Sequence, residues 1–134
     1  MILLDTSAIY ALADVRDLNH HRARELFRRA LESGEVFLTH NYVLVESAAL
    51  LQRRLGLGQA LQFLKEAESF QVHWISPSDH RLAATILEQR DRRQLSMVDC
   101  ASFMVMTFHG INAVFAFDPD FEREGFIVYS GPTG

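Results

Sequence analysis

The sequence has too few of certain residues to belong to several large protein classes. Its single cysteine, Cys100, excludes an intramolecular disulfide, and since it lies in an apolar stretch we expect an inert, buried thiol. The longest apolar run, residues 101–108, is far shorter than the roughly 20 residues that span a bilayer, so we expect no contact with a membrane. The apolar opening, residues 1–4, is broken by Asp5 before it resembles a signal peptide. These absences predict a cytoplasmic protein.

The chain also lacks a basic excess. Its net charge is -4, whereas proteins held to nucleic acid mainly by charge usually carry many more cations than anions. The positive charge is almost all arginine, because Lys65 is the only lysine. The arginines form groups at positions 22–29, 53–54 and 90–93. Two interpretations stay open: solvated helix faces, or local phosphate contacts around an acidic centre.

What is present is the alternating pattern of an α/β domain. A length of 134 residues fits one domain, residues 1–134, with a loose tail at 130–134. Apolar periodicity and capping residues, including Asn19 as an N-cap, predict helices over 8–13, 20–33, 42–55, 59–70, 77–90 and 96–109. Short apolar runs predict strands at 2–4, 36–38, 72–75, 113–117 and, on an edge, 126–129. Short strands alternating with helices indicate a parallel sheet covered on both faces.

Two aspartates follow predicted strands directly. Asp5 comes after the first strand and Asp118 after the fourth. Ligands bind at the carboxyl ends of the strands in open parallel sheets, so both residues lie where a site is expected. Each also has a structural explanation, Asp5 as the cap of the next helix and Asp118 as a turn residue before Pro119.

Two further acids lie in apolar surroundings. Glu46 has Tyr42, Val43, Ala49 and Leu50 as helical neighbours, which predicts a carboxylate on an inward face that needs a cation. The alternative for Glu46 is a salt bridge to an arginine. Asp99 is the only acid in the segment 97–108, and its alternative role is a capping box with Ser96.

A divalent cation would reconcile four converging carboxylates. Without one, Asp5, Glu46, Asp99 and Asp118 would repel and raise one another's pKa values. Mg²⁺ and Mn²⁺ prefer oxygen ligands, and the six histidines (20, 21, 40, 73, 80 and 109) show no zinc-like spacing. Such a site suits phosphodiester hydrolysis, in which water attacks the phosphorus in line and leaves a 5′-phosphate.

Four segments carry a resemblance to a known family: LLDTS (3–7), NYVLVE (41–46), LSMVDCASF (95–103) and FAFDPDF (115–121). In order and spacing the chain resembles the PIN-domain ribonucleases, especially the VapC-type toxins of toxin–antitoxin pairs. The resemblance implies a three-layer α/β/α domain with a central parallel sheet of four to five short strands. It also implies Mg²⁺ or Mn²⁺ at the site and single-stranded RNA as the substrate.

The resemblance assigns roles to individual residues as well. The acidic positions of the family correspond to Asp5, Glu46, Asp99 and Asp118 in this chain, which would hold the metal. Small hydroxyls that support the site fall on Thr6 or Ser7 and on Ser96. Asp120 is a rival of Asp118 for the fourth acid, and Asp91 is either an outer carboxylate or a solvated loop residue.

Toxins of this family commonly dimerise, and an antitoxin silences them by placing a helix in an apolar groove. The resemblance therefore implies a homodimer and a cognate antitoxin. Leu26 and Phe27 on one helix, and Leu50 and Leu51 on another, are candidates for lining the groove, with core packing as the alternative.

Other functions remain to be distinguished. A haloacid-dehalogenase-type phosphatase needs a second aspartate where this chain has Ser7, and a receiver domain needs a late lysine where Lys65 is in mid-chain. A PIN-domain nuclease of RNA processing and a non-catalytic PIN-like scaffold also stay open, although degenerate scaffolds generally lose acids. The sequence leaves transfer RNA, the sarcin–ricin loop of ribosomal RNA and messenger RNA open as substrates.

Overall fold

A five-stranded parallel sheet forms the centre of the protein in the computed structural model, which describes residues 1–132. The strands are β1 (Ile2–Leu4), β2 (Phe37–His40), β3 (Gln71–His73), β4 (Ala113–Phe115) and β5 (Ile127–Val128). Their order across the sheet is β3-β2-β1-β4-β5, and every neighbouring pair is parallel. The predicted parallel sheet, with the last strand on an edge, is confirmed.

Seven α-helices connect and cover these strands within residues 1–132. They are α1 (Thr6–Ala13), α2 (His20–Glu32), α3 (Asn41–Leu55), α4 (Leu57–Glu66), α5 (Pro77–Arg90), α6 (Met97–His109) and α7 (Asp120–Arg123). A 3₁₀ turn, Ala67–Ser69, follows α4. No helix in this part of the chain is long and apolar enough to cross a membrane.

The two faces of the sheet pack against different helices. Ile2 and Leu4 point to one face and join a core with residues of α1, α2, α3 and α4. Leu3 points to the other face and joins a core with residues of α5, α6 and α7. Because successive side chains of a strand alternate in direction, three residues of β1 supply both cores. The domain therefore has the expected three layers, and Cys100 is buried in the second core, where burial raises its thiol pKa to about 11.

Several predicted boundaries need correction. The first helix starts two residues earlier than predicted, because Asp5 caps it directly, and β4 ends at Phe115 instead of residue 117. The helix predicted at 59–70 begins at Leu57 and becomes the 3₁₀ turn after Glu66. The strands predicted at 36–38 and 72–75 lie at Phe37–His40 and Gln71–His73. The predicted loose tail has no regular structure over 130–132, and positions 133 and 134 lie outside the described residues.

The order of the strands along the chain reverses direction across the sheet between β1 and β4, which is the switch point of the sheet. From β1 the chain moves to β2 and β3 on one side, and later to β4 and β5 on the other. In open α/β sheets a ligand binds at the carboxyl ends of the strands at such a point. The loops that follow β1 and β4 are therefore where the fold favours a site.

Candidate metal centre

The acids predicted from the sequence lie around the carboxyl ends of β1 and β4. Asp5 directly follows β1, and its backbone N–H donates to the carbonyl of Phe115, the last residue of β4, at 3.1 Å. Asp118 follows in the loop after β4, and Asp99 lies in the first turn of α6. Residues from distant parts of the chain therefore converge on the switch point of the sheet.

Three carboxylates form a compact cluster. Oxygen atoms of Asp99, Asp118 and Asp120 all lie within 4.8 Å of one another. Asp99 and Asp120 are buried and Asp118 is half-buried. Asp118 and Asp120, treated as rivals in the sequence, therefore stand side by side: the backbone N–H of Asp120 donates to Oδ1 of Asp118 at 2.9 Å.

Asp5 is the most buried of the predicted acids. Its Oδ2 accepts the backbone N–H of Ser7 at 3.1 Å and the Ser7 hydroxyl at 2.6 Å. Burial raises the pKa of Asp5 to about 6 despite these hydrogen bonds, and the negative charges of Asp99 and Asp118 raise the pKa further. Asp5 therefore lies within electrostatic reach of the cluster although it is outside the closest group.

Asp99 is positioned by a capping box with Ser96, as the sequence predicts. The Ser96 backbone N–H donates to Asp99 Oδ2 at 3.1 Å, and the Asp99 N–H donates to Ser96 Oγ at 3.0 Å. Burial raises the pKa of Asp99, and the charges of Asp120 and Glu46 add to this effect. The pKa of Asp118 is raised in the same direction, first by burial and then by Asp99 and Asp120. The cluster consequently carries more negative charge than its surroundings stabilise.

Glu46 is less buried than predicted, and its role at the site stays a prediction. The buried face of α3 is formed by Val43, Ser47 and Leu51, and Glu46 is only half-buried beside it. The expectation of an inward apolar face was wrong because Ala49 is exposed, so the helix is rotated relative to the predicted face. Glu46 makes no ion pair within residues 1–132, which removes the arginine alternative, and its charge acts on Asp99.

The hydroxyl groups of Ser7 and Thr6 make two separate connections between elements near the site. Ser7 Oγ, besides binding Asp5, accepts the backbone N–H of Phe117 at 2.9 Å and so joins the loops after β1 and β4. Thr6 Oγ1 accepts a hydrogen bond from the Ser47 hydroxyl at 3.2 Å, which links α1 to α3. Asp91 is exposed at the C-terminal end of α5 with φ 47°, outside the cluster, so the loop role fits it better.

The sequence did not reveal which cations lie beside the acids. Arg123 Nη1 lies 3.3 Å from Asp120 Oδ1, and Arg92 Nη1 lies 3.9 Å from the same oxygen. Arg92 and Arg90 also pair with Glu124. The grouping at 90–93 was visible in the sequence, but its partners lie in α7, a helix that the pattern did not predict, and at the C-terminal cap of that helix. Arg28, paired with Glu25 and Glu32 on the exposed face of α2, fits the solvated-face interpretation instead.

The donor set has the chemistry of a site for a hard divalent cation. It offers carboxylate oxygens and no thiolate or imidazole nitrogen in the group of close ligand atoms found within residues 1–132. Hard cations such as Mg²⁺ prefer oxygen ligands, and a bound cation would relieve the repulsion that raises these pKa values. The residues present therefore fit a metal.

Comparisons with known proteins agree on one family. The model of the PIN domain matches residues 2–127. The chain is 34% identical over 129 residues to the 23S rRNA-specific endonuclease VapC20 of two Mycobacterium tuberculosis strains, CDC 1551 and H37Rv, covering 95% of this chain and 96% of the relative.

Solved structures give the same answer for the fold. The crystal structure of M. tuberculosis VapC20, described as a sarcin–ricin loop cleaving toxin, aligns with a TM-score of 0.84 and 32% identity over 95% of this chain and 97% of that one. PAE2754 from Pyrobaculum aerophilum aligns with a TM-score of 0.59 and 21% identity over 90% of this chain and 81% of that one. The second likeness bears on the fold alone.

Proposed function

Because the chain belongs to the PIN-domain family, we propose that its acid cluster is the catalytic centre of a VapC-type endoribonuclease. The observation that carries the proposal is the approach of the Asp99, Asp118 and Asp120 oxygens to within 4.8 Å at the switch point of the sheet. A non-catalytic scaffold has no need to hold three carboxylates so close together, since their repulsion costs stability.

The cation that we propose is Mg²⁺ or Mn²⁺. Asp99, Asp118 and Asp120, whose oxygens form the close group, would hold it together with Asp5, and Glu46 would add a further negative charge beside them. When bound, such an ion lowers the pKa of a water molecule and offsets negative charge on a phosphodiester.

The chain itself contributes positioning. Ser7 fixes the Asp5 carboxylate through two hydrogen bonds, and the capping box with Ser96 fixes Asp99. Arg92 and Arg123 hold Asp120 and place positive charge beside the acids, where an RNA backbone would pass. Attack of water on phosphorus, in line with the departing 3′-oxygen, would leave a 5′-phosphate and a 3′-hydroxyl.

The substrate that we propose is RNA, and within it the sarcin–ricin loop of 23S ribosomal RNA. The support is the 34% identity, over nearly the whole length of both chains, to a relative named for 23S rRNA cleavage, whose crystal structure is described as a sarcin–ricin loop cleaving toxin. Of the RNAs that the sequence left open, this loop is therefore the first to test. An RNA target of this kind also supports a cytoplasmic location.

The experiment compares end-labelled sarcin–ricin loop RNA with a transfer RNA and a messenger RNA fragment, each with excess Mg²⁺ or Mn²⁺ and with chelator. We expect cleavage of the loop at one position and none with chelator. Glu68→Gln, an exposed acid remote from the cluster, serves as the matched control for Asp99→Asn. Equal cleavage by Asp99→Asn and by the control would contradict the proposed centre, whereas metal-dependent cleavage of another RNA would contradict only the choice of substrate.

The partner that we propose is a cognate antitoxin. Leu26 and Leu51 cannot contact it, because both are buried in the core, and Leu50 is only half-buried. Phe27 is half-buried and stacks on Phe37 of the core, and its remaining surface lines a depression of about 750 Å³ together with Leu12, Val15 and Leu31. An amphipathic helix laid in this depression would cover apolar side chains that solvent now reaches. A short open reading frame directly upstream would identify the candidate antitoxin.

We also propose that the chain forms a homodimer, because VapC-type toxins commonly dimerise. Analytical ultracentrifugation of the chain alone tests it. A mass of one chain at micromolar concentration would exclude it.

A further inference from the structure

Two histidines meet at the edge of the sheet away from the acid cluster. His73 ends β3 and His109 ends α6, and His73 Nδ1 lies 2.9 Å from His109 Nε2. On the other side of the same ring, His73 Nε2 lies 2.9 Å from Oδ2 of Asp79. Asp99 and His109 stand ten residues apart on α6, about 15 Å along the helix axis, so the histidine pair is separate from the acids.

Asp79 determines which nitrogen of His73 carries the proton. A carboxylate only accepts, so the nitrogen facing it, Nε2, is the one that donates. Nδ1 is then left with a lone pair directed at His109. Asp79 is itself held, because its Oδ2 also accepts the backbone N–H of Ser76 in the capping box of α5.

We propose that His73 Nδ1 and His109 Nε2 form a binding site for a transition-metal ion that prefers nitrogen ligands, with Zn²⁺ as the physiological candidate. Two nitrogens that bind one Zn²⁺ ion at about 2.0–2.1 Å, with an N–Zn–N angle of about 90–109°, lie about 2.9–3.3 Å apart. The observed separation of 2.9 Å falls within this range. The ion takes the place of the one proton between the rings, and water fills its remaining positions.

The carboxylate behind His73 completes the arrangement found at histidine metal sites. A metal-binding histidine almost always donates its second ring N–H to a carboxylate or carbonyl, which fixes the ring and makes the ligand more basic. Asp79 supplies this group. The ring of Phe108 packs edge-on against both histidines, at 5.7 Å from His73 and 5.0 Å from His109, and further restricts their rotation.

The ligand chemistry separates this site from the acid cluster. Imidazole nitrogens select Zn²⁺, Ni²⁺ or Cu²⁺, whereas carboxylate oxygens suit Mg²⁺ and Mn²⁺. His73 is also shielded, with only 14% of its side chain exposed, while His109 is exposed and leaves the ion open to solvent. The protein would therefore bind two kinds of cation at two separate places.

The test titrates the 134-residue chain with Zn²⁺ in excess Mg²⁺, which occupies the acids. It follows the histidine ring signals by NMR together with the heat of binding. His109→Gln removes one ligand from an exposed helix end, and His21→Gln, an exposed histidine on α2, is the matched control. We expect one site whose ion shifts the signals of His73 and His109. His109→Gln should weaken binding more than tenfold, and Asp79→Asn about tenfold, while His21→Gln leaves it unchanged.

RNA cleavage in Mg²⁺ should be the same in His109→Gln as in the unaltered protein, because the pair lies outside the catalytic centre. Wild-type affinity in His109→Gln would overturn the proposal. So would zinc-dependent shifts confined to other histidines, or no binding to the unaltered protein below millimolar Zn²⁺.

Discussion

Ser7 holds Asp5 by a hydrogen bond of 2.6 Å from its hydroxyl to the carboxylate Oδ2. The same hydroxyl accepts the backbone N–H of Phe117 at 2.9 Å. One side chain thus connects the loops that follow β1 and β4, the two strands on either side of the switch point. The position of Asp5 relative to the loop that bears Asp118 therefore depends on Ser7.

Replacing Ser7 by alanine tests this connection. Ser7→Ala removes both side-chain hydrogen bonds, and we expect a loss of roughly 1–3 kcal/mol in unfolding free energy. Because groups that orient a metal ligand typically affect metal affinity or activity by about 10–100-fold, RNA cleavage should fall by that order. The measurement is the cleavage rate against Mn²⁺ concentration.

Ser33→Ala is the matched control for this change. The Ser33 hydroxyl donates to the carbonyl of Arg29 on the exposed end of α2. Its cleavage rate should equal that of the unaltered protein. A wild-type rate and metal dependence in Ser7→Ala would mean that Asp5 needs no such support.

The raised pKa of Asp5 predicts how stability depends on pH in the metal-free protein. The pKa is about 6 in the folded chain and 3.8 for an ordinary aspartate, so the folded state binds the proton more tightly than the unfolded state does. Ionised Asp5 therefore destabilises the fold above pH 6, and this penalty disappears as the pH falls from about 7 to 4. The shift corresponds to about 3 kcal/mol.

Asp5→Asn should consequently stabilise the metal-free protein at pH 7.5 while abolishing cleavage. The advantage should shrink at pH 5, since the unaltered Asp5 is then largely protonated. Urea unfolding in chelator at both pH values measures it. The electrostatic explanation would be disproved if Asp5→Asn were less stable than the unaltered protein at pH 7.5. It would also be disproved if the gain in unfolding free energy were the same at both pH values.

The sequence predicted the parallel strands and the helix caps well because both depend on local pattern, whereas the role of the acids stays a prediction. Asp5 and Ser96 are helix caps adjacent to apolar runs, and such signals need no knowledge of the rest of the fold. The buried face of α3 was predicted wrongly because helix rotation depends on which face packs against α1 and α4.

Side-chain partners were the least predictable part. His40 shows this: it ends β2, accepts the Val43 N–H as the cap of α3 and pairs with Ser102 at 2.8 Å. Burial lowers its pKa to about 3, so it is neutral. No spacing connects positions 40 and 102, since that contact exists only once α6 packs beside β2.

The acids after β4 give a prediction that separates Asp118 from Asp120. Both belong to the cluster, so Asp118→Asn and Asp120→Asn should each lower the cleavage rate. Since even groups that only support a metal ligand typically contribute about 10–100-fold, we expect a loss of about 10-fold or more. Asp120→Asn should also weaken the attachment of Arg92 and Arg123, which pair with its carboxylate. Single-turnover rates and thermal unfolding of both variants supply the comparison.

Asp91→Asn serves as the control for these two changes, because Asp91 is exposed and outside the cluster. Its rate should remain that of the unaltered protein. A lowered rate for Asp91→Asn would restore it as an outer carboxylate. An unaffected rate for Asp118→Asn or for Asp120→Asn would remove that residue from the proposed centre.

The depression beside α2 gives a prediction about the antitoxin. Leu31 lines it and is 53% exposed, so Leu31→Glu should leave cleavage intact but weaken binding of the upstream-encoded partner at least tenfold. Leu82→Glu, a similarly exposed leucine on α5, is the matched control. Isothermal titration measures both, and equal affinities would place the antitoxin on another surface.

The central claim is that the acid cluster hydrolyses RNA with a divalent cation. The most direct measurement is single-turnover cleavage of sarcin–ricin loop RNA by the unaltered chain and by Asp99→Asn, with Mn²⁺ or with chelator, followed by analysis of the product ends. The account predicts 5′-phosphate ends only for the unaltered chain with Mn²⁺, and loss of cleavage in Asp99→Asn. Cleavage that persists in chelator or leaves cyclic phosphates would contradict it, as would equal rates for the two proteins.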